Sequence, residues 1–394
     1  MTEQSGTHNY AYDVIYRLLQ ATHPAPPTEQ FTYDQVGNRL TDNSGNEYFY
    51  NNANRLLNYN GLTFTYDANG NMTSRVDSCG TTTYTWDSEN RLTGISGFKP
   101  DCSTLIASYQ YDPFGRRIEK NINEAITKYL YDEEDIIAEY DGNNQLIAHY
   151  IHGPGIEEPI AMVKNSQSYF YHFDGLGSVT ALTDSTGNVV QRYNYDSFGN
   201  ITNMLDPNFI QPFTYTSREY DPESGLYYYR ARYYDSKIGR FISEDPIRLK
   251  GGINFYLYVY NRPTMFIDPS GLLCVYSQSL GSLTCTNNTT GQQYLSCNGY
   301  AGKGPGLNKP SAQNQPNVGP LPQGDYTMGG PNNRRGPFTR PLMPDPGKNM
   351  FGRSGFLIHG DNAAQDNSAS EGCIVVPRDC RSRIPTGETL RVVP

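Results

Sequence analysis

The stretch YDQVGNRL, residues 33 to 40, decides the fold. An aromatic residue suited to half-buried strands comes first, Asp and then Gly-Asn supply a tight turn, and Arg-Leu resumes an extended run. The same order recurs as YDVIYRL from Tyr12, YNNANRL from Tyr50, YDANGNM from Tyr66, WDSENRL from Trp86, YDPFGRR from Tyr111 and YDSFGN from Tyr195. The successive starts lie 21, 17, 16, 20, 25 and 84 residues apart. Spacings of this size predict one β-hairpin per repeat, and a lone hairpin needs stacked neighbours to be stable. The tyrosines read as wall-building scaffold rather than as a carbohydrate-binding platform.

Composition agrees with a mainly β chain. Of 394 residues, 37% are apolar and 18% charged, with 33 Tyr, 38 Gly and 26 Pro, which argues against helical bundles. No apolar run is long enough for a membrane span. The polar start, Met1 to Tyr10, predicts no Sec export.

The chain changes character after Leu272. Twenty-nine of the 33 Tyr lie at or before residue 272, and five of the seven Cys lie after it. Residues 273–394 hold eleven Lys and Arg against seven Asp and Glu, a net +4, which leaves −13 for the remainder of a chain of net −9. With no Lys/Arg run in this basic tail, no nucleic-acid partner is expected.

The repeats resemble those of Rhs and YD-repeat proteins, whose strands wind into a hollow shell around a toxin. The resemblance covers residues 10 to 272. It is strongest from YHFDGLGSVTALTDSTGNVVQRYNYDSFGN, beginning at Tyr171, through SGLYYYRARYYDSKIGRFISEDPI to NFYLYVYNRPTMFIDPSGL, which looks like the Rhs-associated core. It implies YD repeats over 1–210, the core over 211–272 and a C-terminal toxin domain over 273–394. The chain looks like the C-terminal end of such a protein, and so few repeats predict exposed sheet edges or association with a longer chain.

Two acidic turns, Asp245-Pro246-Ile247-Arg248 and Asp268-Pro269-Ser270-Gly271, bracket the NFYLYVYN segment. By themselves they read as turns. The Rhs resemblance implies aspartyl-type self-cleavage, with Asp245 and Asp268 sharing a proton and Leu272–Leu273 as the bond. The first turn departs from the family in carrying Arg248 where Gly is common.

The tail's most informative segment is GFLIHGDNAAQDNSASEGCIVVP, residues 355 to 377. It predicts one strand ending at His359 and another starting at Cys373, joined by a polar loop. A thiol nucleophile needs a base, and His359 is the only histidine after residue 172. Asp361 is the expected partner fixing the imidazole tautomer, and Ser370 would hydrogen-bond in the same pocket. Gly372 would admit a substrate backbone, with amides at Gly372 and Cys373 facing an oxyanion. The alternative is a disulfide cysteine beside a loop histidine. Cys274, Cys285, Cys297 and Cys380 make an even set that could form two disulfides, and the pairing stays open. With no C-x-x-C pair, His cluster or phosphate loop, neither a metal nor a cofactor is expected.

The pattern H-x-D-x8-S-x-G-C-I resembles the active-site signature of L,D-transpeptidases, especially type VI secretion effectors, over roughly residues 299 to 394. GPLPQGDYTMGG and GRSGFLIHGD join it. The resemblance implies a small, mostly β L,D-transpeptidase-like domain with Cys373 as nucleophile, His359 as base, and Ser370 and Gly372 shaping the pocket. Its substrate would be peptidoglycan tetrapeptide stems, attacked by L,D-carboxypeptidase trimming or D-amino acid exchange in a target cell's periplasm. Delivery from the cytoplasm by a signal-peptide-independent injector, with type VI secretion components and a cognate immunity protein as partners, completes the expectation. Two alternatives stand beside it: another Cys–His cell-wall amidase or endopeptidase, and a non-enzymatic surface repeat protein with a degenerate tip.

Overall fold

The computed structural model describes residues 2–394 except 4–5, 24–27, 134, 154–157, 246–252, 266, 269–273, 287–292, 345–348 and 385–388. The chain divides into two compact units, Met1–Ile267 and Asp268–Pro394. No described helix is long and apolar enough to cross a membrane.

The first unit is built on a sheet of 16 strands in sequence order, from Tyr48–Tyr50 to Ile201–Met204, all antiparallel. The repeat motif explains the meander. At Asp112, Oδ1 accepts the amides of Phe114 and Arg116, both at 2.9 Å, while Gly115 N–H donates to Asp112 O. The chain turns because Gly115 sits at φ 83°, where a side chain is disfavoured, and the pairing slips by one residue between Gln110 and Tyr111. Tyr111 OH then donates to Leu92 O at 2.7 Å, and Tyr195 OH to Val179 O at 2.7 Å. Both aromatics thus tie their own turn to a preceding strand, whereas the Tyr12 hydroxyl instead meets Thr264 Oγ1 at 2.9 Å.

Asp112→Ala removes the acceptor for two amides at a turn open to water. The expected loss is about 1 kcal/mol, read as a lower urea midpoint for the shell's unfolding transition.

Packed on this sheet are four short strands, Glu219–Asp221, Leu226–Tyr229, Arg232–Asp235 and Arg240–Phe241, whose residues are almost all buried. Leu226, Tyr228, Tyr233, Ile238 and Ile242 share one core cluster with sheet residues Leu56, Phe64, Leu92 and Tyr109. An ion pair joins the layers: Arg117, 1% exposed, donates to Glu219 Oε2 at 2.7 Å and to both Asp221 oxygens. The guanidinium also lies over the Tyr228 ring, 4.6 Å from its centroid. Burial alone would raise the Asp221 carboxyl, but the charges of Arg117 and Lys120 hold it below the usual carboxylate range.

The sheet remains open. Its last strand, Ile201–Met204, is a half-exposed edge. Side chains of the first repeats cover the last repeat turn instead. Phe31 meets Phe198 edge-on at 5.1 Å, Arg39 lies over both rings, and Glu29 accepts the Ser197 amide at 3.0 Å. His23 Nε2 contacts Glu29 at 2.7 Å. Burial, and secondarily the Glu29 charge, pushes Asp196 up to about 7. A carboxyl raised above its unfolded value contributes stability at low pH that is lost as pH rises through the folded value. Proteolysis of residues 9–33 is therefore expected to be faster at pH 8 than at pH 6, and Asp196→Asn should flatten that difference.

A disulfide, Cys79–Cys102, also lies in the first unit. The second unit is a nine-stranded sheet in the order Gln293–Asn298, Ser282–Thr286, Cys274–Ser277, Thr389–Val393, Gly324–Met328, Arg340–Pro344, Leu357–His359, Ile374–Val375, Tyr300–Ala301. Cys274 pairs with its cross-strand partner Cys285, and Cys297 with Cys380 on the short helix Arg378–Ser382. Ile358, Ile374, Tyr326, Leu342 and Val392 are among its core residues.

Candidate functional site

The strand Leu357–His359 runs parallel to Ile374–Val375, with Ile358 opposite Ile374 and His359 opposite Val375. Parallel neighbours need a connection of about a dozen residues or more. The polar 360–373 loop supplies it and returns the chain to the start of the neighbouring strand. Ile358 and Ile374 point into the core. Cys373 comes just before the strand Ile374–Val375 and His359 ends the strand Leu357–His359, so the register puts the two residues two positions apart along paired neighbours, with no direct hydrogen bond between them.

His359 is 2% exposed, and its Nδ1 is 2.7 Å from Gly360 O, an acceptor, so Nδ1 carries the proton. Nε2 is left as a bare acceptor, buried and without a hydrogen-bond partner. The tautomer is thus set by a backbone carbonyl. Asp361, expected in that role, instead accepts the Tyr300 hydroxyl at 2.6 Å and the Asn362 amide at 2.8 Å. It pins the start of the 360–373 loop to the edge strand.

Ser370 and Gly372 also differ in detail from expectation. Ser370 Oγ donates to Cys373 O at 2.6 Å and accepts the amides of Gly302 at 2.9 Å and Gly372 at 3.2 Å. Ser370 therefore locks the turn before the thiol, and the Gly372 amide is engaged by it rather than free for an oxyanion. Gly372 has φ 120°, and a Cβ there would run into the Arg353 guanidinium. Arg353 donates to Gln313 O and Pro320 O at 2.6 and 2.7 Å, holding the 313–320 loop beside the Glu371–Gly372 turn.

Cys373 is the one free cysteine among the described residues, and it is partly exposed. Burial pushes its thiol up, opposed by a hydrogen bond from the Leu357 amide and by Arg335 and Arg353. Burial pushes His359 down, a shift partly offset by Gly360 O and deepened by Arg335 and Arg381. At neutral pH the pair therefore rests as thiol and neutral imidazole. Alkylation of Cys373 by iodoacetamide is accordingly expected to rise with pH to a plateau above that of an ordinary cysteine, about 8.5.

Arg335, Arg353, Arg381 and Tyr300 were not singled out by the motif. Arg353 lies within GRSGFLIHGD, yet only the folded loop shows what it holds. Asp245 is buried in the first unit, with Arg232 Nη2 3.4 Å from its Oδ2. Asp268 belongs to the second unit, and Leu272 and Leu273 lie outside the described residues.

Two family models match the chain: Teneurin YD-shell over residues 1–263 and Tlde1 domain over residues 296–388. The chain is 35% identical over 275 residues to tRNA3(Ser)-specific nuclease WapA of Bacillus spizizenii, covering 66% of this chain and 12% of the relative. It is 28% identical over 307 residues to double-stranded DNA deaminase toxin A of Burkholderia cenocepacia, covering 69% of this chain and 21% of that one. Among solved structures, the TcdB2-TccC3-Cdc42 crystal structure matches with TM-score 0.56 at 21% identity, over 67% of this chain and 15% of that one, which shows a shared fold.

These relatives correct the expectation of an L,D-transpeptidase or L,D-carboxypeptidase acting on peptidoglycan stems, and with it the cell-wall amidase alternative. Their names are those of a tRNA nuclease and a DNA deaminase toxin, so the expected absence of a nucleic-acid partner is corrected as well. The resemblance of the repeats to Rhs and YD-repeat proteins stands. With the matched model spanning residues 1–263, well over half its length, the chain belongs to the Teneurin YD-shell family.

Proposed function

We propose that this chain is a YD-shell toxin whose effector is the second unit, with Cys373 as the reactive group and His359 as its base. The observation that carries this reading is a free thiol one residue before the strand that pairs with Leu357–His359, whose buried imidazole has no partner at Nε2 among the described residues. In this reading His359 Nε2 is the base that accepts the Cys373 thiol proton. Ser370, Gly372 and Arg353 position the thiol. The relatives' names direct the substrate toward nucleic acid, tRNA or double-stranded DNA, and the net +4 of residues 273–394 favours a polyanion. The chain spans only 12% of the WapA relative.

The test is incubation of the full, reduced-at-Cys373 chain with tRNA and with double-stranded DNA, wild type beside Cys373→Ala, read by mass spectrometry of the nucleic acid. Change by wild type alone supports the reading. Nucleic acids left intact by a folded chain would remove them as substrates.

The proposal extends to maturation: 1–210 as repeats, 211–272 as core, and self-cleavage between Leu272 and Leu273 using Asp245 and Asp268. Intact-mass measurement of purified protein should then show a fragment beginning at Leu273, absent in Asp245→Asn. A single uncut mass after prolonged incubation would contradict it.

A further inference from the structure

Around His359 the second unit gathers the guanidinium groups of Arg335, Arg378 and Arg381, none ion-paired among the described residues, although the Glu371 carboxylate, paired with Lys303, also feels the Arg335 charge. Arg381 is 5% exposed, donates Nη1 to Val376 O at 3.1 Å, and leaves its buried Nε without a partner. It packs so closely on Gly360 that a Cβ there would strike the guanidinium. Arg378, on the same short helix, lies over the Phe338 ring at 5.7 Å. That contact ties the helix to the turn that carries Arg335.

The turn is held open by its own backbone. Asn332 and Thr339 exchange both amide–carbonyl bonds at 2.8 Å, and Thr339 Oγ1 donates to Gly336 O at 2.7 Å. It caps the hairpin of Gly324–Met328 and Arg340–Pro344, and Arg340 sits opposite Ile358, next to His359. The hairpin tip therefore projects from the sheet at the end where His359 lies. Arg335 at that tip is exposed and makes no hydrogen bond or ion pair among the described residues, although its charge bears on both Cys373 and His359. An exposed guanidinium at the tip and a buried one against Gly360, both bearing on an imidazole whose Nε2 has no partner among the described residues, make a setting for an anionic oxygen group.

We infer that Arg335, with Arg381 and Arg378, forms an oxyanion subsite beside the Cys373–His359 pair, and that Arg335 selects substrates carrying a phosphate or carboxylate close to the attacked carbon. This rests on the reading of Cys373 as the reactive group. Arg381 and Arg378 set a fixed positive background, whereas Arg335 makes the direct contact.

The experiment uses the full chain and needs no turnover, so it is independent of whether nucleic acid is the substrate. The rate of iodoacetamide alkylation at Cys373 is measured by peptide mass spectrometry against increasing inorganic phosphate or, separately, acetate at constant ionic strength. Saturable protection of the wild type is expected, and Arg335→Gln should raise the half-protecting concentration about tenfold. Arg334→Gln, its exposed neighbour, should leave it unchanged. Protection by phosphate alone identifies a phosphate-bearing substrate, protection by acetate alone a carboxylate, and either supports the subsite. No protection by either anion, or equal protection in Arg335→Gln, would overturn it.

Discussion

Arg117→Leu is expected to cost the shell unit about 3–5 kcal/mol, because it leaves two buried carboxylates without their shared cation. Glu219 and Asp221 sit on a strand of the inner four-stranded sheet, while Arg117 belongs to the outer sheet, so the loss falls on the joint between layers. Lys120 still reaches Asp221 at 2.8 Å and makes no ion pair with Glu219 among the described residues. Differential scanning calorimetry of the full chain should show the shell transition moved down by several degrees. The triple variant Arg117→Leu, Glu219→Leu, Asp221→Leu is expected to recover most of the loss, since it removes the unpaired charges together. A single variant as stable as the wild type would mean the pair contributes little beyond packing.

The second large effect falls at the thiol. On the proposed reading, Cys373→Ala is expected to lower turnover of the proposed nucleic-acid substrate at least about a thousandfold, as loss of a covalent nucleophile commonly does. Folding should survive, because Cys373 lies outside the disulfides and only partly buried. His359→Ala should approach the same loss. Asp361→Asn, in contrast, should cost less than about tenfold, since the imidazole is oriented by Gly360 O and Asp361 serves Tyr300. A large loss in Asp361→Asn together with a small one in His359→Ala would reverse the assigned roles. Gly372→Ala offers a structural control: the added methyl strikes Arg353, so the 313–320 loop and the Glu371–Gly372 turn should loosen together.

Much of this is written locally. In YDPFGRR the Asp side chain binds amides two and four residues on, the Gly occupies the left-handed position, and the Tyr hydroxyl reaches the previous repeat. The Asp and Gly contacts have fixed offsets in sequence, so the turn could be read without a structure, whereas the hydroxyl reaches 19 residues back from Tyr111 and 16 from Tyr195. His359 and Cys373 were legible for the same reason, as chemically rare residues at strand ends. Asp361 was misassigned because adjacency in sequence suggested a partner for the ring, whereas in the loop after the strand its carboxylate accepts the hydroxyl of Tyr300, 61 residues away.

The sequence by itself determined the mainly β class, the hairpin repeats and the thiol and imidazole, because turn chemistry, strand preference and residue reactivity are local properties. Only the tertiary structure decided the parallel pairing that brings the segments carrying His359 and Cys373 side by side. It alone paired Cys274 with Cys285 and Cys297 with Cys380, joined Arg117 to carboxylates about a hundred residues away, and brought Arg335, Arg353 and Arg381 around the site. Those pairings depend on which distant segments lie side by side, and that is set by burial of the whole core rather than by any spacing along the chain.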